Sequence, residues 1–406
     1  LPKRKLNVTI IILDTLKLDT FDMLAKRNPE LMGRFDAISF DHCIAPSSWT
    51  LPSHASLFTG LYPSSHGSHE TRKIKSLDIA RIKLRSPTIM GELKERGYRT
   101  YGISANPYIH PVYGFTDFDS YVHESYFTDI FGSMIEVSAH LKEGLHRYRN
   151  EYGNDVLGLS RAIIRDNPKL FVDLVLSASV MSPRAALKKA KAKLMDGWPL
   201  EKGGKNIVKM VKHTDFKAPF FLFLNFMEAH DPYIGGKGND FNWATPFLKK
   251  PVDKRLLEKW KKLYVTASHK AMRYGSAVIA DLMERYGDNQ MIILTSDHGQ
   301  AFNEHGFVGH GTVLFDEAVK VPLVVIAPKW LNREKAKGCQ SLVNVPEFIL
   351  SALDGNRDAL RMLSSESVYS ETFSIPANIS KVKGVDKKKM AKLDRYEKRK
   401  FTLQEK

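Results

Sequence analysis

Residues 7–13 (NVTIIIL) form an unbroken, largely β-branched apolar run that stops at Asp14. A strand wet on one side alternates apolar and polar residues. A continuous run marks a strand covered on both faces, a condition met chiefly in parallel sheets lying between helices. The signature returns at residues 100–104 (TYGIS), 220–226 (FFLFLNF), 291–295 (MIILT) and 321–327 (VPLVVIA). The last carries Pro322 near its start, where a strand tolerates a residue without an N–H. Helical patterns lie between, at 88–96 and 252–285. Strands alternating with helices predict an α/β fold, a mostly parallel sheet with helices on both faces.

The chain has 406 residues, 43% hydrophobic and 26% charged, which is globular composition. That length buries a large core without a disulfide or metal staple. Two cysteines, Cys43 and Cys339, exclude a disulfide framework. No apolar run reaches the ~18–20 residues that span a bilayer, since residues 170–181 are interrupted by Asp173. The expectation is a soluble chain, cytoplasmic rather than secreted, although the missing initial methionine leaves a removed leader open. Lys and Arg total 61 against 45 Asp and Glu, a net +16 that points to anionic partners. Residues 381–406 hold 11 basic and four acidic residues, +7 of that excess. This stretch reads as a solvated helix or tail rather than a polyanion-binding arm, so no specific nucleic-acid binding is expected. Residues 121–212 read as polar, Lys/Arg-rich helices without strand signal. The predicted organisation is one α/β unit over 1–375, containing a helical insertion at 121–212, then a basic tail or vestigial subdomain at 376–406.

Open parallel sheets bind ligands beyond the carboxyl ends of their strands. Three of the runs lead there into Asp14, His230 and the Asp297-His298 pair. One buried Asp at a strand end is ordinarily a helix cap. Three such groups at one edge suit a divalent ion, and carboxylate oxygens with an imidazole accept Zn²⁺, Mn²⁺ or Mg²⁺ alike. Residues 49–54 (WTLPSH) look like a turn feeding a helix, with 55–58 as its apolar side. A hydroxyl at that point is ordinarily an N-cap. The same place lets free backbone N–H groups favour an anion, and a cation touching the Thr50 oxygen would make it a nucleophile.

Six segments in order resemble the sulfatase family of the alkaline phosphatase superfamily: IIILDTLKLD (10–19), TLPSHASLFTG (50–60), GYRT (97–100), NFMEAHDPY (225–233), SDHGQAFNEHG (296–306) and GHGTVLFDEAVKVPL (309–323). The resemblance covers most of the chain apart from 121–212 and implies an alkaline-phosphatase-like catalytic domain. It puts Thr50 at the nucleophile position and His54 at the position of the signature arginine. The family's Cys or Ser is oxidised to formylglycine; threonine is not a known substrate for that modification, so Thr50 is expected to act unmodified. Asp14-Thr15 replaces a tandem acidic pair, removing one carboxylate ligand. Ser104-Ala105-Asn106 stands in the region where a Lys-Trp-His element often follows GYRT, and His310 stands where many sulfatases place a lysine.

What the resemblance implies is a metal-dependent hydrolase of sulfate or phosphate esters. A divalent ion (Zn, Mn, Mg or Ca) is held by Asp14, Asp297 and His298 and touches Thr50. Asn106 and His54 contact the substrate's oxyanion, and His230 or His310 protonates the leaving oxygen. One ion is expected; in the alternative, His230 and His310 bind a second. A sulfated formylglycine expels sulfate by collapse of its hemiacetal, whereas a threonine ester must be attacked by water, as in the phosphatase and phosphodiesterase branches. Phosphate is therefore favoured. The alternatives are a phosphoethanolamine- or phosphoglycerol-type phosphotransferase and an anion-binding homologue without turnover. Asp231 and His305 read as structural, and His140 and His146 as surface residues.

Overall fold

A computed structural model describes residues 6–76, 78–124, 161, 163–166, 202–231, 233, 247–248, 250–334, 338–376, 385–386, 388–389 and 398–405. The strands are β1 Asn7–Leu13, β2 Ile38–Ile44, β3 Arg99–Ser104, β4 Ser120–His123, β5 Phe220–Phe226, β6 Gln290–Thr295, β7 Ala301–Phe302, β8 Val308–Gly309, β9 Lys320–Ile326, β10 Cys339–Ser341, β11 Ser364–Ser365, β12 Ser367–Thr372 and β13 Lys400–Glu405. Nine of them make one sheet in the order β11-β10-β2-β9-β6-β1-β5-β3-β4. β1 lies near its middle, parallel to β5 and β6, with Ile12 opposite both Asn225 and Thr295. That register brings the carboxyl ends of three strands level, so Asp14 follows β1 beside Asn225, the penultimate residue of β5, and Asp297, just beyond β6.

The sheet is mostly parallel and all five expected strands are present, but β9 runs antiparallel to both β2 and β6. The chain leaves β6 at the carboxyl edge, builds the β7–β8 hairpin there, and enters β9 from the same edge. It can only descend. The reversal keeps His298, Gln300 and His310 together above the sheet. Strands β2, β4, β10 and β11 lack the continuous apolar run; β2 (ISFDHCI) exposes Ser39, Asp41 and His42.

Helices cover both faces. α1 Leu18–Arg27, α2 Thr50–Thr59, α3 Ile89–Glu95, α4 Gly204–His213, α5 Lys254–Tyr286 and α6 Val345–Leu353 carry most of the packing. Alternate β1 side chains serve opposite cores, as the pleat requires. Val8, Ile10 and Ile12 pack with α2, α3 and α6, while Ile11 and Leu13 pack with α1, α4 and α5. Among the described residues no helix is long and apolar enough to cross a membrane.

Both ends of the 121–212 segment are built into the α/β unit. β4 is an edge strand beside β3, and Ile207 and Val211 of α4 are fully buried. Most of the segment lies outside the described residues. Within the 376–406 segment β13 pairs with β12, from Lys400–Thr372 to Glu405–Ser367. The Arg399 guanidinium also bonds the Glu371 carboxylate.

The aromatic side chains of β5 brace the helix that carries Thr50. Phe223 meets Phe58 edge-on with centroids 4.9 Å apart, and the His54 ring at 5.8 Å. Phe223→Ala removes a fully buried ring and should cost ~3–5 kcal/mol, measured by denaturant unfolding. A loss below about 1 kcal/mol would mean that α2 does not depend on this contact.

Candidate active site

Asp14 is completely buried. Its backbone N–H continues the sheet by donating to the Phe226 carbonyl (2.9 Å). Its Oδ2 accepts from Asn106 Nδ2 (2.7 Å) and Asn225 Nδ2 (3.1 Å), while among the described residues Oδ1 has no hydrogen-bond partner. Thr15 then adopts a left-handed backbone, φ 61°. This turn points its N–H at Asp297 Oδ1 (3.2 Å), and the Tyr264 hydroxyl of α5 donates to its carbonyl (2.9 Å).

Thr50 is the first residue of α2. The preceding residue, Trp49, occupies the capping position with extended backbone and no side-chain cap bond. The Thr50 hydroxyl is therefore not the N-cap that its place in sequence suggests. It accepts from Asn106 Nδ2 (3.2 Å) and lies 3.5 Å from His298 Nε2. Trp49 is fixed by Glu70, buried under it: the indole N–H donates to Oε2 (2.6 Å), and Oε1 accepts from the Thr372 hydroxyl (2.9 Å) and the N–H groups of Phe373 (3.0 Å) and Ser374 (3.2 Å). A carboxylate with this many donors is a rigid anchor for the start of α2.

Asp297 accepts from its neighbour His298 N–H (3.0 Å) on Oδ1. Among the described residues its Oδ2 has no hydrogen-bond partner; His298 Nε2 lies 3.4 Å and His54 Nδ1 3.5 Å away. Burial raises the pKa of Asp297 to about 6. Asp14 also rises to about 6, through burial and then repulsion from Asp297. Burial drives the imidazoles the other way, His298 to about 4 and His54 to about 3, and His310 well below its usual value. His54 spends Nδ1 on the Thr50 carbonyl (2.9 Å) and packs between Phe58 and Phe223.

Asp14, Asp297 and His298 each offer a ligand atom, all within 4.8 Å of one another. His230, Asp231 and His310 form a second such group. The two are contiguous, since the His310 ring lies 4.5 Å from that of His298 and 5.0 Å from that of His230. Asp231 thus belongs with the site histidines, which its turn-like sequence context did not indicate. Gln300 Oε1 accepts from His310 Nδ1 (2.6 Å), which puts the proton of the neutral imidazole on Nδ1. His305 stays outside, half exposed and stacked on Phe315. His140 and His146 lie outside the described residues. Asn225 stands out in the sequence as the one polar residue of an apolar strand; Glu70 gives no such signal, because Thr372, Phe373 and Ser374 reach it from some 300 residues away.

A family model described as Sulfatase matches residues 7–355. The chain belongs to the sulfatase family. A low-salt glycan biosynthesis sulfotransferase, Agl7, from Haloferax volcanii is 28% identical over 148 residues, 35% of this chain and 35% of that protein. The phosphonate monoester hydrolase SpPMH from Silicibacter pomeroyi has the same fold: TM-score 0.58, 17% identity, 92% of this chain and 81% of that one. So does the C-terminal periplasmic domain of EcEptC from Escherichia coli, solved in complex with Zn: TM-score 0.52, 11% identity, 94% and 92% covered.

The Asp14 group of this sulfatase-family protein fits a divalent cation on its own chemistry. Two fully buried carboxylates each keep an oxygen without a hydrogen-bond partner, and the nearby imidazoles are held neutral, as metal ligands must be. Without a cation the carboxylates oppose folding. The folded protein keeps their protons up to about pH 6, whereas the unfolded chain releases them near 3.8, so their contribution to stability falls as pH rises between those values. His54 and His298 act oppositely: they must charge on unfolding below about 6.5, so their contribution is lost as pH falls from there toward 3–4. Asp297→Asn should therefore raise metal-free stability at pH 7, by ~2 kcal/mol, and abolish the thermal stabilisation that added Mn²⁺ or Zn²⁺ gives wild type. Equal stabilisation of both proteins by the ion would remove Asp297 from the ligand set.

Proposed function

We propose that this protein cleaves phosphate or sulfate esters through a covalent ester on Thr50. The observation that carries the reading is the Thr50 hydroxyl itself, turned away from capping and held by Asn106 beside two buried, under-bonded carboxylates. Asp14, Asp297 and His298, with the Thr50 oxygen, would hold one divalent ion, which when bound would lower the hydroxyl's pKa and neutralise nonbridging oxygens.

In the first step the Thr50 hydroxyl gives its proton to water, Oγ1 attacks phosphorus or sulfur, and the bond to the leaving oxygen breaks. That oxygen needs a proton. His230 is the better donor. Its side chain is about one-fifth exposed, whereas His310 is buried and kept neutral. The His230 Nδ1 also contacts the Asp231 main-chain carbonyl, which fixes the ring and leaves Nε2 to exchange protons. Asn106 and the backbone N–H groups at the start of α2 serve the oxyanion. His54 is buried and neutral and spends Nδ1 on the Thr50 carbonyl, so it steadies the start of α2 instead of lending an arginine's charge. In the second step water attacks the Thr50 ester and frees inorganic phosphate or sulfate. Phosphate is favoured, because an unmodified threonine lacks the hemiacetal exit.

The Haloferax sulfotransferase supports a second reading, in which a glycan hydroxyl replaces water and the group is transferred. The chemistry at Thr50 is the same and only the acceptor differs.

A panel of aryl phosphate, phosphodiester and aryl sulfate, with added divalent ion, separates the substrate classes. Thr50→Ala should lower kcat on the accepted class at least ~1,000-fold, while Thr50→Ser retains turnover. Quenched wild-type protein should carry phosphate or sulfate on Thr50 in peptide mass spectra. An alanine variant with near wild-type kcat would show that Thr50 is not the attacking group. Product partitioning toward an added sugar alcohol would select the transferase reading over the hydrolase.

A further inference from the structure

Lys202-Gly203-Gly204, outside the six motif segments, brings a buried ammonium to the back of the site. Lys202 is 2% exposed. Its Nζ donates to the main-chain carbonyls of Glu228 (3.3 Å) and His230, and lies 6.0 Å from the Tyr233 ring centroid. Asp14, Glu228 and Asp231 all act electrostatically on it, while burial pulls its pKa down to about 8.

The two glycines make this approach possible. Gly203 has φ +108°, and a Cβ there would come within 2.2 Å of the Glu124 carbonyl. A Cβ on Gly204 would lie 2.6 Å from Glu228 Oε1 and 2.5 Å from the Tyr274 ring. Gly204 N–H also donates to Glu228 Oε1 (3.0 Å), and Asn206 Nδ2 to Glu124 Oε1 (2.7 Å). The backbone that follows the lysine is therefore clamped between Glu124 and Glu228. Desolvating an ammonium costs several kcal/mol, and a position that needed only packing would be better filled by Met or Leu. Here the donors go to the two carbonyls that flank Ala229. They set the backbone just where His230 begins, and the His230 ring is itself held by the next main-chain carbonyl.

We propose that Lys202 is a positioning residue: through the Glu228 and His230 carbonyls, it holds the His230 imidazole in place to protonate the leaving oxygen. This rests on the role given above to His230. Losing the ammonium should then matter most where the leaving group most needs a proton.

The test compares 4-nitrophenyl and phenyl esters of whichever oxyanion the wild-type protein hydrolyses. His230→Ala sets the scale, with a loss in kcat at least about tenfold larger on the phenyl ester. Lys202→Met should show the same bias with KM little changed, and Lys202→Gln, which keeps an amide NH2 as a neutral donor, a smaller one. If His230→Ala shows no bias, His230 is not the acid and the proposal falls with that assignment. A biased His230→Ala beside folded Lys202 variants that lose both esters equally overturns the positioning role alone. Failure of both Lys202 variants to fold overturns it too, since the ammonium would then be serving stability.

Discussion

Two carboxylates, Asp14 and Asp297, are buried within a few ångströms of one another at the carboxyl edge of the sheet, and much of the surrounding architecture answers to their charge. Desolvation and mutual repulsion make such a pair costly. The fold supplies donors to one oxygen of each: Asn106 and Asn225 to Asp14, and the backbone N–H groups of Thr15 and His298 to Asp297. The left-handed turn at Thr15 exists to aim one of these donors. Each carboxylate still keeps one oxygen without a hydrogen bond, so the residual field is that of a cation site.

The same burial that raises the acids silences the bases. His54, His298 and His310 are neutral throughout the physiological range because charging them would need water that the site excludes. Positive charge for an oxyanion must then come from a bound ion or from the start of α2. The aromatic packing of Phe58 and Phe223 gives that helix its fixed seat, and Glu70 fixes its first turn through Trp49. Replacement of the family's signature arginine by His54 changes the electrostatics accordingly. The imidazole is held in the core by the Thr50 carbonyl and the Phe58 and Phe223 rings, and it supplies no positive charge.

Legibility followed distance along the chain. The runs at 7–13, 220–226 and 291–295 announced their strands because burial on both faces leaves no room for polar residues, and the groups that end them announced the site. Strand β2 was missed because its exposed Ser39, Asp41 and His42 break the run. Asp231 looked like a turn residue because its partners, His230 aside, arrive from the β7–β8 region. Lys202 carried no local signal at all; a buried lysine and a solvated one look alike until the glycines beside it are seen pressed against Glu124 and Glu228.

The sequence by itself determined the α/β class, the family and the chemical inventory of the site, since periodicity and short motifs are local properties of a chain. Tertiary structure alone decided the antiparallel course of β9, the turning of the Thr50 hydroxyl from cap to site, the neutrality of the histidines and the anchoring of His230 from Lys202. Each of those depends on groups far apart in sequence sharing one water-poor volume, where direction, protonation and hydrogen bonding are set by neighbours that no linear spacing records.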